Sequence, residues 1–189
     1  MKNKKCNIIS LGDFGINVLS LYNNNNLYNS ELLVANEKEL NLTISNTDIT
    51  FFIIELGEIN NSDSIPIFLE QIKKQTTFIF SIVSKPFAWE GEKRKTIATK
   101  SFEQVIKQSD FTILIDKEKI AESVNEETLL KELFGWINDF IIKLINILLS
   151  KLLSTDCISI MEELNQIFTH KYDLEKSYVL VDIQDIKKD

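Results

Sequence analysis

The sequence predicts an α/β fold, a Rossmann-like, mostly parallel sheet with helices on both faces. Apolar runs rich in β-branched and aromatic residues alternate along the chain with segments of helical periodicity. The runs at 49–56 (ITFFIIEL) and 77–83 (TFIFSIV) carry few polar residues, which is typical of strands that are covered on both faces. A helical segment follows each of them, as a parallel crossover requires.

The elements follow from the same patterns, read in order. Pro66 falls in the first turn of one helical segment, where its missing N–H costs nothing. Gly135 marks the point at which the longest helix could kink. The predicted strands are 6–11, 31–35, 49–56, 77–84, 111–116 and 178–183, and the predicted helices are about 16–22, 64–75, 90–108, 126–153 and 158–168.

Length, charge and cysteine content exclude several classes of function. A chain of 189 residues can bury the core of one domain. A net charge of −7 argues against binding nucleic acid or an anionic membrane, since both need clustered Lys and Arg. Cys6 and Cys157 are too far apart for metal-ligand spacing, so we interpret them as buried apolar residues in a reducing compartment.

The longest apolar stretch, 133–153, is interpreted as a core helix rather than a transmembrane segment. Placing charged or amide side chains in lipid is costly, and this stretch contains five of them. They are Asn138, Asp139, Lys143, Asn146 and Lys151. The N-terminal residues lack the apolar core of a signal peptide, so we expect a cytoplasmic protein.

The segment Ser84–Arg94 (SKPFAWEGEKR) is the most informative part of the sequence. It leaves a predicted strand, passes through a short Pro- and Gly-containing loop and enters a helix, at the edge where α/β sheets bind ligands. The segment resembles TKPF-x-FEG-x-KR, the motif at this point in the bacterial tubulin homologue FtsZ. All five glycines and both prolines of the chain stand at glycine and proline positions of that family.

Four further segments keep the same register. SLGDFGIN at 10–17 aligns with the family's phosphate loop GVGGGGGN, and ANEK at 35–38 aligns with VNTD. GEINNSD at 57–63 aligns with GGGTGTG, and LFGWIND at 133–139 aligns with AFGAAND. The resemblance to the FtsZ/tubulin superfamily implies a site for GTP or GDP with Mg²⁺. The residues that it assigns to this site are Gly12, Gly15, Asn17, Asn36, Gly57, Glu90 and Arg94 (the last two for ribose and phosphate), with Phe134 and Asp139 at the guanine.

Several of these residues also have a purely structural interpretation. Glu90 and Arg94 are spaced for an i,i+4 ion pair worth roughly 0.3–0.5 kcal/mol. Asp139 lies in so apolar a helix that, if buried, its carboxylate needs a partner. The turn-forming residues 60–63 (NNSD) suit an ordinary loop.

The sequence departs from the family at the positions that carry its chemistry. Phe14 and Ile16 place side chains in a loop whose glycines let backbone amides approach phosphate. Asp13, Glu58 and Asp63 add negative charge there, which only a cation such as Mg²⁺ would offset. DKEK at 116–119 replaces the guanine-reading loop, and CISIMEE at 157–163 lacks most of the catalytic carboxylates, Glu162 or Glu163 being the nearest. We therefore assign no catalytic residue and no protein metal ligand, and His170 has no partner motif.

The resemblance also predicts the organisation of the chain. Residues 1–157 would form the nucleotide-binding-type domain, ending in the long helix, and residues 158–189 a short helix-strand remnant in place of the family's second domain. We predict a degenerate FtsZ-like protein that acts through contacts with FtsZ or with itself, as a filament cap or through strand 178–183 as a sheet edge. The alternatives are a GTP-binding protein whose acidic loops recruit Mg²⁺, and a module for an unrelated small ligand.

Overall fold

The protein, a computed structural model, is described for residues 5–24, 31–35, 46–58, 63–122, 127–152, 172–173 and 178–181. Several sequence predictions fall outside these ranges. They concern Asn36, Cys157, Glu162, Glu163, His170, the helix at 158–168 and the boundary at 157/158, and they stay predictions.

A seven-stranded sheet forms the centre of the fold, in the order β2-β1-β3-β4-β5-β7-β6. All neighbouring strands are parallel except β6 and β7, which are antiparallel. The predicted α/β class is therefore confirmed. The strands are β1 Cys6–Leu11, β2 Glu31–Ala35, β3 Thr47–Glu55, β4 Thr76–Ser84, β5 Phe111–Ile115, β6 Tyr172–Asp173 and β7 Tyr178–Val181.

Helices cover both faces of the sheet because its central strands are apolar on both sides. The helices are α1 Gly12–Asn24, α2 Ser64–Gln75, α3 Glu92–Gln108, α4 Lys117–Glu122 and α5 Leu130–Leu152, and a 3₁₀ turn at Ala88–Glu90 precedes α3. One buried cluster joins α1 and α5 to alternate residues of the central strands. A second cluster joins α2 and α3 to the opposite face.

The chain reverses its direction of winding between β1 and β3. It passes from β1 outward to β2, and then returns to add β3 on the other side of β1. Crevices that bind ligands in open α/β sheets lie at the carboxyl ends of the strands at such a reversal. In this protein those ends are Leu11 and Glu55, so the β1–α1 and β3–α2 junctions border the expected site.

Three helix predictions need correction. The helix predicted at 16–22 begins earlier, at Gly12. Phe14 is buried in the core, so this segment is helical rather than an open loop. The segment predicted as one helix at 90–108 is divided at Gly91 into the 3₁₀ turn and α3, since Gly91 has a φ of 96°. The long helix begins at Leu130 rather than 126 and continues without a break through Gly135.

One strand prediction and two omissions also need correction. Strand β7 is not a sheet edge, because it lies between β5 and the two-residue strand β6, which the sequence did not reveal. The short helix α4 was missed as well. The N–H of Lys119 donates to Asp116 Oδ1 at 3.2 Å, so Asp116 caps a turn that was too short to show helical periodicity.

Helix α5 buries one side against α1 and the sheet. Its stretch Leu130–Lys151 is long and apolar enough to cross a membrane, judged by length and composition alone. In this structure Leu133, Ile137, Ile141 and Ile145 from that stretch belong to the core cluster, as expected for a core helix. Cys6 is buried as expected, and its burial raises the pKa of the thiol to about 12.

Candidate functional site

The β1–α1 junction, which the resemblance assigns to phosphate, is a tightly packed helix start. Gly12 has a φ of 79°, and this lets the chain turn from β1 directly into α1. A Cβ on Gly15 would lie 2.6 Å from Ser10 Cβ and 2.9 Å from the carbonyl oxygen of Ile53. Gly15 therefore permits α1 to approach the protein's own sheet, a role that needs no phosphate.

Phe14 fills the space beside this junction. Its side chain is only 6% exposed and belongs to the core cluster on the α1 side of the sheet. Ile16 and Asn17, on the next turn, are exposed. The side chain that the sequence placed in a phosphate loop is thus a core residue.

The loop between β4 and α3 is held by its own side chains. The N–H of Phe87 donates to Glu90 Oε1 at 2.7 Å, and the N–H of Glu90 donates to the carbonyl of Phe87 at 3.1 Å. The Glu90–Arg94 ion pair expected from the i,i+4 spacing is present. Arg94 also donates to Glu55 Oε1 at 3.3 Å, so it links α3 to the end of β3.

Lys117 occupies the centre of the site. It is the first residue of α4, just beyond the carboxyl end of β5, and it is 2% exposed. Its Nζ donates to Glu55 Oε1 at 3.0 Å. The same Nζ lies 4.9 Å from the ring centroid of Phe87, 5.6 Å from that of Phe134 and 6.0 Å from that of Phe14. These distances are within the range of cation–π attraction.

A continuous chain of ion pairs therefore crosses the carboxyl edge of the sheet, from Lys117 through Glu55 and Arg94 to Glu90. Two cations and two anions balance one another. A buried ammonium is tolerated only when it is paired and hydrogen-bonded, and Glu55 meets both conditions for Lys117. We call Lys117, Glu55, Phe14, Phe87 and Phe134 the lysine cluster.

Aromatic packing continues from the lysine cluster to the surface. The rings of Phe87 and Phe134 meet edge to face with centroids 5.9 Å apart. Trp89 stacks on Phe87 at 3.9 Å with an interplanar angle of 13°. Trp89 is nevertheless 63% exposed, so it covers the loop and presents an apolar surface outward.

Gly57, which the resemblance assigns to the nucleotide site, also has a packing role. Gly57 has a φ of 89°, and a Cβ there would lie 2.6 Å from the carbonyl oxygen of Arg94. Glu58 is half-buried and Asp63 is exposed. Among the residues that the structure describes, no group of three or more His, Cys, Asp or Glu is arranged to hold a metal ion.

The structure gathers some of the predicted site residues and separates others. Glu90, Arg94 and Phe134 lie in or beside the lysine cluster, and Gly57 supports the backbone of Arg94. Asp139 is exposed, because five residues along a helix turn it about 140° from Phe134. Its carboxylate is therefore not buried, so it needs no partner to offset a cost of desolvation.

Sequence analysis did not identify Glu55 and Lys117, the two residues that form the central ion pair of the site. Both lie at carboxyl ends of strands, at the end of β3 and just after β5. These strands flank β4, so their ends share one edge of the sheet. The adjacency of these two strand ends could have predicted the Lys117–Glu55 pair, but the glycine motifs indicated other residues.

Phe14 and Lys117 fill space beside some of the residues that the resemblance assigns to a nucleotide. The Lys117 ammonium lies 5.6 Å from the ring centroid of Phe134 and donates to Glu55, which also pairs with Arg94. The glycine that would admit a phosphate, Gly15, instead faces Ser10 and Ile53.

A separate pocket of about 320 Å³ lies at the same sheet edge, on the α3 side. Leu56, Pro86, Ala98 and Phe102 give it apolar walls, and its charged lining residues are Lys85, Lys95, Asp116 and Glu118.

Sequence comparison finds relatives among division proteins. The chain is 27% identical over 101 residues to the mitochondrial division protein fszB of Dictyostelium discoideum, covering 52% of this chain and 28% of that protein. It is 26% identical over 96 residues to cell division protein FtsZ 1 of Halobacterium salinarum, covering 51% of this chain and 24% of the relative. The matches thus span about a quarter of these relatives' length. No family model matches the chain.

Comparison with solved structures finds the same fold. An empty FtsZ dimer from M. jannaschii has a TM-score of 0.67 at 18% identity, over 80% of this chain and 56% of that one. CetZ2 from Haloferax volcanii, described as a protofilament with bound GTPγS, has a TM-score of 0.65 at 14% identity, over 84% and 62%. The partial sequence matches and the fold thus agree in their similarity to the FtsZ/tubulin superfamily.

Proposed function

We propose that this chain is a degenerate FtsZ-like protein that acts through protein–protein contacts in cell division or on a related filament system, without turning over GTP. Its relatedness to FtsZ supplies the cytoskeletal context. The partner in this proposal is FtsZ or a second copy of the chain. Its place of action is the cytoplasm.

The observation that carries the proposal is the filled site. Lys117 and Phe14 are both buried, and the Lys117 ammonium lies within reach of Phe134 and of Glu55, the partner of Arg94. Glu90 and Arg94, which resemble the ribose and phosphate contacts, are engaged with Phe87 and Glu55. A site whose polar groups are already paired internally gains little from a ligand that must first separate them.

Contacts with a partner have a candidate surface beside the filled site. Trp89 is exposed on the β4–α3 loop, and Leu129 and Leu130 are exposed where α5 begins. Large exposed aromatic side chains are enriched at protein interfaces, where they supply much of the binding energy. In this proposal, the protein acts by binding a partner through this edge of the sheet rather than by hydrolysing GTP.

Three measurements test the proposal. Isothermal titration with GTP and with GDP in Mg²⁺ should give no micromolar binding, and a phosphate-release assay should give no turnover. Co-sedimentation should place the protein with FtsZ filaments assembled in GTP, and Trp89→Ala should reduce the bound fraction several-fold. Lys93→Ala, an exposed change nearby, serves as the control. Micromolar binding followed by turnover would refute the proposal.

A second candidate is a protein that still binds GTP although its loops differ from the glycine-rich loops of the family. Two buried polar atoms near the site favour it, since Arg94 Nε and Ser84 Oγ have no hydrogen-bond partner among the described residues. A ligand oxygen could satisfy them. Nucleotide that co-purifies with the protein, together with loss of its binding in Arg94→Ala, would support this candidate over the first.

A third candidate is a binding module for an unrelated small molecule. The pocket of about 320 Å³ on the α3 side favours it, because its size is that of a small-ligand site and its lining mixes apolar walls with charged groups. Phe102→Trp would fill this pocket without touching the lysine cluster. A metabolite that stabilises the wild-type protein but not this variant would identify such a ligand.

A further inference from the structure

We propose that the lysine cluster is a binding site for a primary alkylammonium, and that the protein occupies this site permanently with its own Lys117. The proposal concerns an intramolecular ligand, so it does not rest on any partner or on the absence of GTP turnover. In this proposal, the Lys117 side chain fills the space at the carboxyl edge of the sheet and holds the surrounding elements together.

The walls of the site come from four different elements. Phe14 belongs to α1, Glu55 to β3, Phe87 to the β4–α3 loop and Phe134 to α5. The ammonium of Lys117, on α4, contacts all four of these side chains. The lysine thus joins elements that are otherwise distant in the sequence.

The chemistry of these walls selects a cation. The three rings offer the negative faces of their π systems, and Glu55 offers a carboxylate oxygen at 3.0 Å. A neutral group of the same shape would keep the apolar contacts but would gain neither attraction. The flexible four-carbon stem of lysine reaches the cage while the backbone of α4 remains outside, capped by Asp116.

Chemical rescue tests the site directly. In Lys117→Ala the missing part of the side chain corresponds to n-propylammonium. We expect the melting temperature of this variant to lie about 10 °C below that of the wild-type protein, because a buried carboxylate loses its ammonium. Propylammonium at tens of millimolar should raise it by about 3 °C with a saturable dependence, while the uncharged isostere 1-propanol should not.

Two further variants make the result specific. Lys117→Met fills the cage with an apolar chain of similar length, so it should fold but should not respond to propylammonium. Lys119→Ala, an exposed change on the same short helix, should leave the melting temperature within about 1 °C of wild type.

Three outcomes would overturn the proposal. They are a Lys117→Ala protein as stable as wild type, equal rescue by 1-propanol, and equal rescue of Lys117→Met by propylammonium. If Lys117→Ala does not fold without the amine, propylammonium should still increase the yield of folded protein on dilution from urea, and 1-propanol should not. Because no nucleotide is used, these results are separate from the test of GTP binding.

Discussion

Two junctions at the candidate site, β1–α1 and β4–α3, are packed in different ways. At β1–α1, Phe14 is buried and α1 begins directly after β1. At β4–α3 the residues match the family motif, but Glu90 and Arg94 are engaged in internal contacts. The first junction is thus packed by a buried ring, and the second is held by charged side chains that pair with one another.

The lysine cluster connects these two outcomes. Lys117 contacts Phe14 from the first junction and Phe87 from the second, and Glu55 pairs with both Lys117 and Arg94. The two junctions are thus joined by one set of packed side chains. Substitutions that affect one junction and spare the other can separate the two contributions.

The largest effect should come from Phe14→Ala. The side chain is buried against the core on the α1 side, so its removal should lower the free energy of unfolding by about 3–5 kcal/mol. Urea denaturation measures this change. Ile16→Ala, two residues further along α1 and exposed, should cost less than about 1 kcal/mol. Equal effects would mean that Phe14 is not a core residue.

A somewhat smaller effect should follow Gly15→Ala. The new Cβ would meet Ser10 and the backbone of Ile53 at less than 3 Å, and the strain should cost about 1–3 kcal/mol. Gly135→Ala makes the same substitution within α5, where no described atom lies within 4 Å of the new Cβ. It should stabilise the protein by about 0.5–1 kcal/mol, as alanine does within a helix. Similar signs for both variants would contradict the packing role of Gly15.

At the second junction we expect a smaller effect from Arg94→Ala. The variant loses the contacts with Glu90 and Glu55, but Glu55 keeps Lys117 and Glu90 keeps the N–H of Phe87. The expected loss of stability is about 1–2 kcal/mol. Lys95→Ala removes an exposed pair with Glu92 and should cost no more than about 0.5 kcal/mol. A difference below about 0.3 kcal/mol between the two variants would show that the contacts of Arg94 contribute no more than an exposed ion pair.

Much of the fold could be predicted from the sequence because strand burial leaves a strong pattern. The runs that became β3 and β4 are apolar on both faces, and helix α2 was predicted at its observed bounds. Short elements carried no such signal: α4 has six residues and β6 has two. The position of β7 within the sheet depends on long-range pairing with β5, which no local pattern specifies.

The site was less predictable than the fold. The motif at 84–94 correctly placed Glu90 and Arg94 at the carboxyl edge. Which groups they bind depends on Glu55, a residue outside every motif. The direction of Lys117 depends on the cap at Asp116 and on three rings from separate elements. Side-chain pairing of this kind is a tertiary property, so residue identities alone could not specify it.

The decisive measurement for the filled site is a crystal structure of the full chain grown with millimolar GTP and Mg²⁺. We expect Lys117 Nζ within about 3 Å of Glu55 Oε1, the rings of Phe14, Phe87 and Phe134 around it, and no nucleotide density between the two junctions. Density for GTP or GDP there, with Lys117 turned outward and Arg94 on a phosphate, would contradict an internally filled site.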